Sequence, residues 1–390
     1  MIIGINAAAA VKQPRTGVEE YTYQLIKHLT MLPEARGHRF LLYLPSEALA
    51  KEGFDFSLPN NFEIKVLYWP LPILWTQIRL VWEMLWRKPD ILLIPVHILP
   101  FFSPKNSVVV EHGLEYEYFP EYYPALFRWY LCWSTKRSAK KAQRIIAVSK
   151  KTKQDLMKFY GCKPEKIEVV HHGVSFCHSE AVGRGISREP RGALAERGEC
   201  GSRICERSFA SLRMTNSKPY ILYLGRIETK KNIQGILAAY KILREKYGVP
   251  HQLVIAGGKG FGYEAFQLDL EGVLETGYVS EEEKWRFLSG ADLFLFPSFC
   301  EGFGLPVLEA QAAGVPVVTS YNSSLPEIAG EGAVFVNPEN PGQIAEAVYK
   351  IFEDRQFRDK IVAAGYENVK IFSWEKCARE TLNVITMLKK

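Results

Sequence analysis

Along the first 174 residues, short apolar runs alternate with stretches whose apolar positions recur at helical spacing. The runs predict strands at Ile2–Ile5, Phe40–Tyr43, Ile64–Leu67, Ile91–Ile94, Ser107–Val110, Arg144–Val148 and Ile167–Val170, with helices between many of them, among them Glu19–Leu32 and Leu126–Lys141. Such alternation argues for a parallel sheet covered by helices on both faces. The pattern restarts at Pro219. It predicts strands at Tyr220–Leu224, Gln252–Ala256, Leu274–Tyr278, Leu293–Phe296 and Val315–Ser320, and helices at Asn232–Tyr247, Glu281–Ser289 and Pro306–Ala313. Past Ser320 the pattern assigns one more element, a terminal helix over Trp374–Leu388. The fold class is therefore α/β, with two Rossmann-like domains. Ligands of open parallel sheets bind outside the carboxyl ends of the strands, so two such domains facing one another predict a cleft that holds the chemistry.

Between the two patterns, Cys177 to Asn216 shows no sustained period, has seven arginines and no lysine, and holds three of the seven cysteines. It reads as an inserted, disordered segment, with a regulatory or metal-binding loop using Cys200 and Cys205 as the alternative; their spacing is not C-x2-C. The expected organisation is 1–174, an N-terminal Rossmann-like domain; 175–217, a linker carrying the insertion; 218–372, a C-terminal Rossmann-like domain; and 373–390, a terminal helix.

Composition and charge narrow the setting. With 390 residues, 47% hydrophobic and 24% charged, the chain can bury more than one core, which excludes wholesale disorder and a small disulfide scaffold. The run Ile91 to Phe102 is interrupted by His97 and two prolines and is shorter than the roughly 20 residues of a spanning helix. The start, MIIGINAAAAV, has no cationic region before its apolar residues, and the seven cysteines form no C-x-x-C pair, so a reducing, cytoplasmic location is expected. Residues 1–174 carry 23 Lys/Arg against 16 Asp/Glu, whereas residues 217–390 carry 19 against 22. Within the first half, Lys136 to Lys166 holds 11 basic residues opposed only by Asp155 and Glu165. That bias fits either a solvated helix face or an anionic surface such as a membrane.

The strongest chemical signal is DLFLFPSFCEGFGLPVLEAQAAGVPVVTS, Asp292 to Ser320. A buried strand ends at Pro297, a turn carries Ser298, Glu301, Gly302 and Gly304, and a helix opens at Leu305-Pro306. Glycines let a ligand approach the backbone, and the unpaired N–H groups of a helix start favour a phosphate. Glu301 and Glu309 stand eight apart, and a carboxylate can accept two hydrogen bonds from a vicinal diol. Together these features fit a nucleotide-sugar.

The segment EGFGLPVLE resembles the E-x7-E motif of retaining glycosyltransferases of family 4, which have the GT-B architecture. Further matches run through nearly the whole chain outside the insertion, including TGVEEYTYQL, VVVEHGLEYEYFPEYYP, RIIAVSKKTKQDL, VVHHGV, YLGRIETKKN, TGYVSEEEKWRFLSGADLFLFPS, SSLPEIAGEGAVFVNPEN and FSWEKCARETL. The resemblance implies that Arg226 and Lys231 hold the donor's diphosphate, a sensible place for two cations at the end of the first strand of the second domain. It implies that Glu309 binds the ribose hydroxyls and Glu301 the transferred sugar. Backbone N–H groups around Gly302, Phe303, Gly304 and Leu305 would lie near sugar and phosphate, and Val279 in the loop against the base. It also implies that His112 points at the donor sugar and that Thr16-Gly17-Val18 stands where the family has a glycine-rich loop. Two departures stand out. Thr16 replaces a glycine common in that loop, and Gly113 follows His112 where the family usually has aspartate.

Other features are weaker. Gly257-Gly258-Lys259-Gly260-Phe261-Gly262 is not spaced as G-x-G-x-x-G opening a helix and reads as a structural loop. No two of the seven aspartates are two positions apart, so the D-x-D pair of metal-dependent sugar transferases is absent and no metal is expected. The stretch Trp69, Trp75, Trp82, Trp86, with Arg79 and Glu83 on its polar side, reads as core before membrane anchor. The combined expectation is a retaining hexosyltransferase with no cofactor beyond its donor. HGLEYEYFPEYYP is most like bacterial surface-polysaccharide mannosyltransferases, which implies GDP-mannose and a saccharide or lipid-linked saccharide acceptor at the inner face of the plasma membrane, with no nucleic-acid partner. The alternatives are a UDP-glucose or UDP-N-acetylglucosamine transferase, a UDP-N-acetylglucosamine 2-epimerase, and a non-catalytic sugar-nucleotide-binding subunit.

Overall fold

The computed structural model describes residues 1–46, 54–70, 74–175, 218–266 and 268–389; the segment Cys177 to Asn216 lies outside them. The described residues form two compact units. The first comprises Met1–Val174, Glu301–Leu305 and the C-terminal stretch from Ile371; the second runs from Ser175 to Cys300 and from Pro306 to Lys370.

The first unit is built on strands β1 (Ile2–Asn6), β2 (Arg39–Leu44), β3 (Phe62–Val66), β4 (Ile91–Ile94), β5 (Ser107–Glu111), β6 (Arg144–Ala147) and β7 (Ile167–Val169). Its helices are α1 (Gly17–Met31), α2 (Arg79–Trp86), α3 (Glu115–Tyr118), α4 (Ala125–Lys141) and α5 (Lys150–Tyr160). The strands are all parallel, in the order β3-β2-β1-β4-β5-β6-β7. Ile91–Ile94 is apolar and buried throughout, as a central strand covered on both faces must be. Tyr43, Trp75, Leu92, Val109 and Ile145 belong to one core cluster of this unit.

The second unit contains β8 (Tyr220–Leu224), α6 (Ile233–Glu245), β9 (Gln252–Ala256), β10 (Val273–Gly277), α7 (Glu281–Gly290), β11 (Leu293–Phe296), α8 (Leu305–Ala312), whose first residue belongs to the first unit, and β12 (Val317–Ser320). It continues with α9 (Leu325–Ala329), β13 (Ala333–Val336), α10 (Pro341–Glu353) and α11 (Arg355–Val369). Its strands are also parallel, in the order β10-β9-β8-β11-β12-β13. The terminal helix α12 (Trp374–Thr386) belongs to the first unit, where it packs on α1, and Arg379 Nε lies 3.2 Å from Glu34 Oε1.

In each sheet the chain reverses direction beside the first strand, between β1 and β4 and between β8 and β11. These switch points open a crevice at the carboxyl ends, which is where an open α/β sheet binds its ligand. The loops that follow β8 and β11 carry Arg226, Lys231 and the Ser298–Gly304 turn.

Two local expectations are corrected. Gly17 does not lie in a loop ahead of a helix beginning at Glu19: it is the first residue of α1, with Thr16 as the N-cap. In α2 the polarity is reversed. Glu83 is buried and paired with Lys65 and Arg79, while Trp82 and Trp86 point outward at 61% and 72% exposure. Four residues apart, the two tryptophans share one helical face, opposite Leu80 and Met84, which fill the core with Trp75.

Candidate active site

In the second unit, β8 ends at Leu224 and a tight loop leads to a 3-10 turn over Thr229–Lys231. The loop is pinned from both sides. Tyr223 Oη donates to the Arg226 carbonyl at 2.6 Å, and the Ile227 N–H donates to the Gly258 carbonyl at 3.0 Å. The glycine-rich run after β9 thus serves as the wall of this loop. Asn232 then joins two strand ends. Its Oδ1 accepts from the Gly235 N–H at the start of α6, while its Nδ2 donates to the carbonyls of Pro297 (3.1 Å) and Pro338 (2.6 Å). The Phe299 N–H donates to the Lys230 carbonyl at 3.0 Å. These bonds bring the Lys231 turn against the end of β11, with its ammonium 5.2 Å from the centre of the Phe296 ring. Arg226 is exposed and Lys231 half-buried, so both charges are presented at the carboxyl edge of the sheet. Asn232 is absent from the sequence-based set; the signal was there, an asparagine directly before an apolar-periodic stretch, as an N-cap.

Glu309 stands in the first turns of α8 and is half-buried. Its Oε1 accepts from Lys284 Nζ at 2.6 Å. Lys284 is a second residue that sequence reasoning missed. Val279, half-buried, immediately precedes Ser280, the N-cap of the helix that carries this lysine.

In the first unit, His112 follows β5 and is half-buried. Its Nε2 lies 2.7 Å from the Pro95 carbonyl, an atom that can only accept, so Nε2 carries the proton and Nδ1 is left as an acceptor. Burial, with His97 nearby, holds the His112 pKa down at about 3, so the ring is neutral at any pH near 7. His97 itself sits 2.9 Å from Glu111, a carboxylate only 1% exposed; burial opposes its charge, but Glu111 outweighs that and raises its pKa.

The Glu301–Leu305 turn belongs to this unit. The Gly302 carbonyl accepts from Ser149 Oγ (2.8 Å) and Thr152 Oγ1 (3.4 Å), both at the start of α5. Phe303 is buried, its ring centre 4.4 Å from that of His172. Leu305 opens α8, and Glu301 is half-buried. The substitution of glycine for the family's aspartate after His112 has a physical reason here. Gly113 has φ +147°, and a Cβ on it would lie 2.9 Å from Gly302 Cα and 2.6 Å from Glu115 Oε1. Gly17, by contrast, is exposed, and a Cβ there would meet no described atom within 4 Å.

Among the described residues, no group of three or more His, Cys, Asp or Glu is arranged to hold a metal, and no helix is long and apolar enough to cross a membrane.

Comparison with known proteins accords with this geometry. The chain is 27% identical over 401 residues to O-antigen chain mannosyltransferase B of Escherichia coli, covering 98% of this chain and 99% of the relative. Among solved structures, sucrose-phosphate synthase from Thermosynechococcus elongatus superposes with a TM-score of 0.69 at 17% identity, over 100% of this chain and 99% of the other. Anabaena HepE, solved with UDP-glucose, gives 0.67 at 14% identity over 99% of each chain. The description of Glycosyltransferase Family 4 matches residues 15–176, and that of Glycosyl transferases group 1 matches residues 206–368. Between them these two descriptions span most of a chain that already has two Rossmann-like units of the GT-B kind, and the chain belongs to glycosyltransferase family 4.

Proposed function

We propose that this glycosyltransferase moves mannose from GDP-mannose onto a saccharide or lipid-linked saccharide acceptor, with retention at the anomeric carbon. The observation that carries the reading is the second sheet's switch point, where Arg226, Lys231 and the turn leading to Glu309 converge on one edge. Full-length similarity to an O-antigen chain mannosyltransferase supports mannose as the sugar.

Breaking the bond between sugar and diphosphate develops positive charge on the sugar ring and negative charge on the leaving phosphate. Arg226, Lys231 and the N–H groups at the start of α8 stabilise the latter. Glu301 holds the transferred sugar and Glu309 the ribose diol, with Val279 against the base. Gly17 and the backbone of Gly302, Phe303, Gly304 and Leu305 approach the phosphates and sugar. His112 acts as a hydrogen-bond acceptor through Nδ1 for a sugar hydroxyl. A group with a pKa of about 3 is too weak a base to deprotonate an acceptor alcohol, so the proton passes to the departing phosphate on the face where the acceptor attacks.

An acceptor carried on an anionic membrane is supported by the first unit. Lys105, Arg137, Lys140, Lys141 and Lys163 line a surface groove of about 720 Å³ that Phe101 and Phe102 border. Phe101, Phe102 and Trp129 are 49%, 60% and 65% exposed. Cations beside exposed aromatic rings match an interface of anionic headgroups and acyl chains.

The two acids provide the test. Glu309→Gln should weaken binding of bare GDP, followed by thermal shift, about tenfold, whereas Glu301→Gln should leave GDP binding near wild type and lower sugar transfer at least tenfold. Normal GDP binding and normal transfer in both variants would refute the assignment.

A further inference from the structure

Helix α7 begins with a reciprocal cap. Ser280 Oγ accepts from the Glu283 N–H at 3.3 Å, and Glu283 Oε2 accepts from the Ser280 N–H at 2.7 Å. This fixes where the helix starts and therefore which side chains of its first turn face inward. Lys284, one turn in, is directed at α8. Its Nζ lies 2.6 Å from Glu309 Oε1 and 2.7 Å from Glu281 Oε1. The lysine and Glu309 side chains are both 15% exposed, whereas Glu281 is 62% exposed at the rim.

A half-buried carboxylate bonded to a half-buried ammonium differs from a surface pair. Burial opposes the ammonium's charge, but Glu309 and then Glu281 outweigh it and hold the Lys284 pKa above the ordinary lysine range. A short charge-assisted bond of this kind sets the orientation of the carboxylate. Lys284 takes one lone pair of Oε1. A carboxylate has about four such sites, enough to accept two further O–H donors side by side. The helix that supplies Lys284 starts directly after Val279, so a single short element links that loop to Glu309.

We propose that Lys284 is the positioning residue for ribose recognition: through its bond to Glu309 Oε1 it holds that carboxylate turned to receive the two vicinal hydroxyls of the nucleotide. This rests on the reading of Glu309 as the ribose-binding acid. Lys284 itself touches neither donor nor acceptor. Its effect is confined to the part of the binding energy that depends on the 2′ and 3′ hydroxyls.

That confinement makes the test selective. GDP and UDP, each beside its 2′,3′-dideoxy form, are titrated into wild type, Lys284→Met, Lys284→Arg and Glu309→Gln by calorimetry. Wild type should prefer the ribose form of its nucleotide by about tenfold or more, the worth of a hydrogen bond to a charged group. Lys284→Met should lose most of that preference with its affinity for the dideoxy nucleotide unchanged, Lys284→Arg should recover most of it, and Glu309→Gln should resemble Lys284→Met. If Lys284→Met keeps the preference, or weakens both forms equally so that the ratio is preserved, the positioning role is overturned. If Lys284→Met loses the preference while Glu309→Gln keeps it, Lys284 acts by another route and the proposal again fails. A wild-type protein that binds ribose and dideoxy forms alike would instead remove the ribose assignment of Glu309, and the role of Lys284 with it.

Discussion

Replacing Arg226 and Lys231 together by alanine should reduce donor turnover about a thousandfold while leaving the fold intact. Each removes a charge-assisted contact worth about 1.5–3 kcal/mol, and every 1.36 kcal/mol is about tenfold in rate, so each single variant should lose about ten- to a hundredfold. The two cations share one diphosphate, so their effects need not add fully. Folding should survive because the bonds that pin the loop are made by other groups. The loop is held by the Tyr223 hydroxyl on the Arg226 carbonyl, by the Ile227 N–H on Gly258, and by Asn232 across to Pro297 and Pro338. Steady-state kinetics with the donor varied checks this, and a double variant that turns over donor like wild type would refute the diphosphate role.

Gly302→Ala should be about as damaging to turnover as losing one of those cations, for a steric reason alone. A Cβ on Gly302 falls far inside contact distance of the His112 carbonyl oxygen, 2.6 Å from its carbon and 2.9 Å from Gly113 Cα. These are backbone atoms, which cannot rotate aside. Since carbon atoms in contact stand about 3.5–4.0 Å apart, the turn must retreat by about 1 Å. A displacement of that size near reacting groups can cost about a hundredfold, and overpacking adds about 1–3 kcal/mol of destabilisation. Glu301 is the adjacent residue and the start of α8 follows within three positions, so the shift reaches the groups proposed to hold sugar and phosphate. Turnover and thermal unfolding measured together test this; an alanine variant with wild-type turnover would show that the turn has room to spare.

Much of the fold was legible in the chain because parallel strands covered on both faces leave a blunt signature. ILLI at Ile91–Ile94 and LFLF at Leu293–Phe296 are apolar at every position, and both are strands. The later elements were harder. Strand Ala333–Val336 is mostly half-buried, and helices Pro341–Glu353 and Arg355–Val369 are separated by Asp354 alone, which caps the second, so a single residue divides two helical patterns. Of the site, the spacing of Glu301 and Glu309 and the cations after β8 could be read, whereas Lys284 could not. In SEEEK it sits among charges that periodicity assigns to solvent, whereas the fold turns it toward an acid on α8, 25 positions away. Glu83 misled for the same reason, being a charge on an apolar helix that finds Lys65 and Arg79 inside. Gly113 looked like a lost aspartate until its backbone angle and its distance from Gly302 explained it.

The most direct test of the account is to incubate the purified chain with GDP-mannose, UDP-glucose or UDP-N-acetylglucosamine and a saccharide acceptor, and to determine the anomeric configuration of the product by NMR. The expected result is transfer from GDP-mannose to give an α-mannoside, the configuration of the donor. A β-linked product, transfer from a UDP-sugar with GDP-mannose inert, or isomerisation of the donor without any acceptor would contradict it.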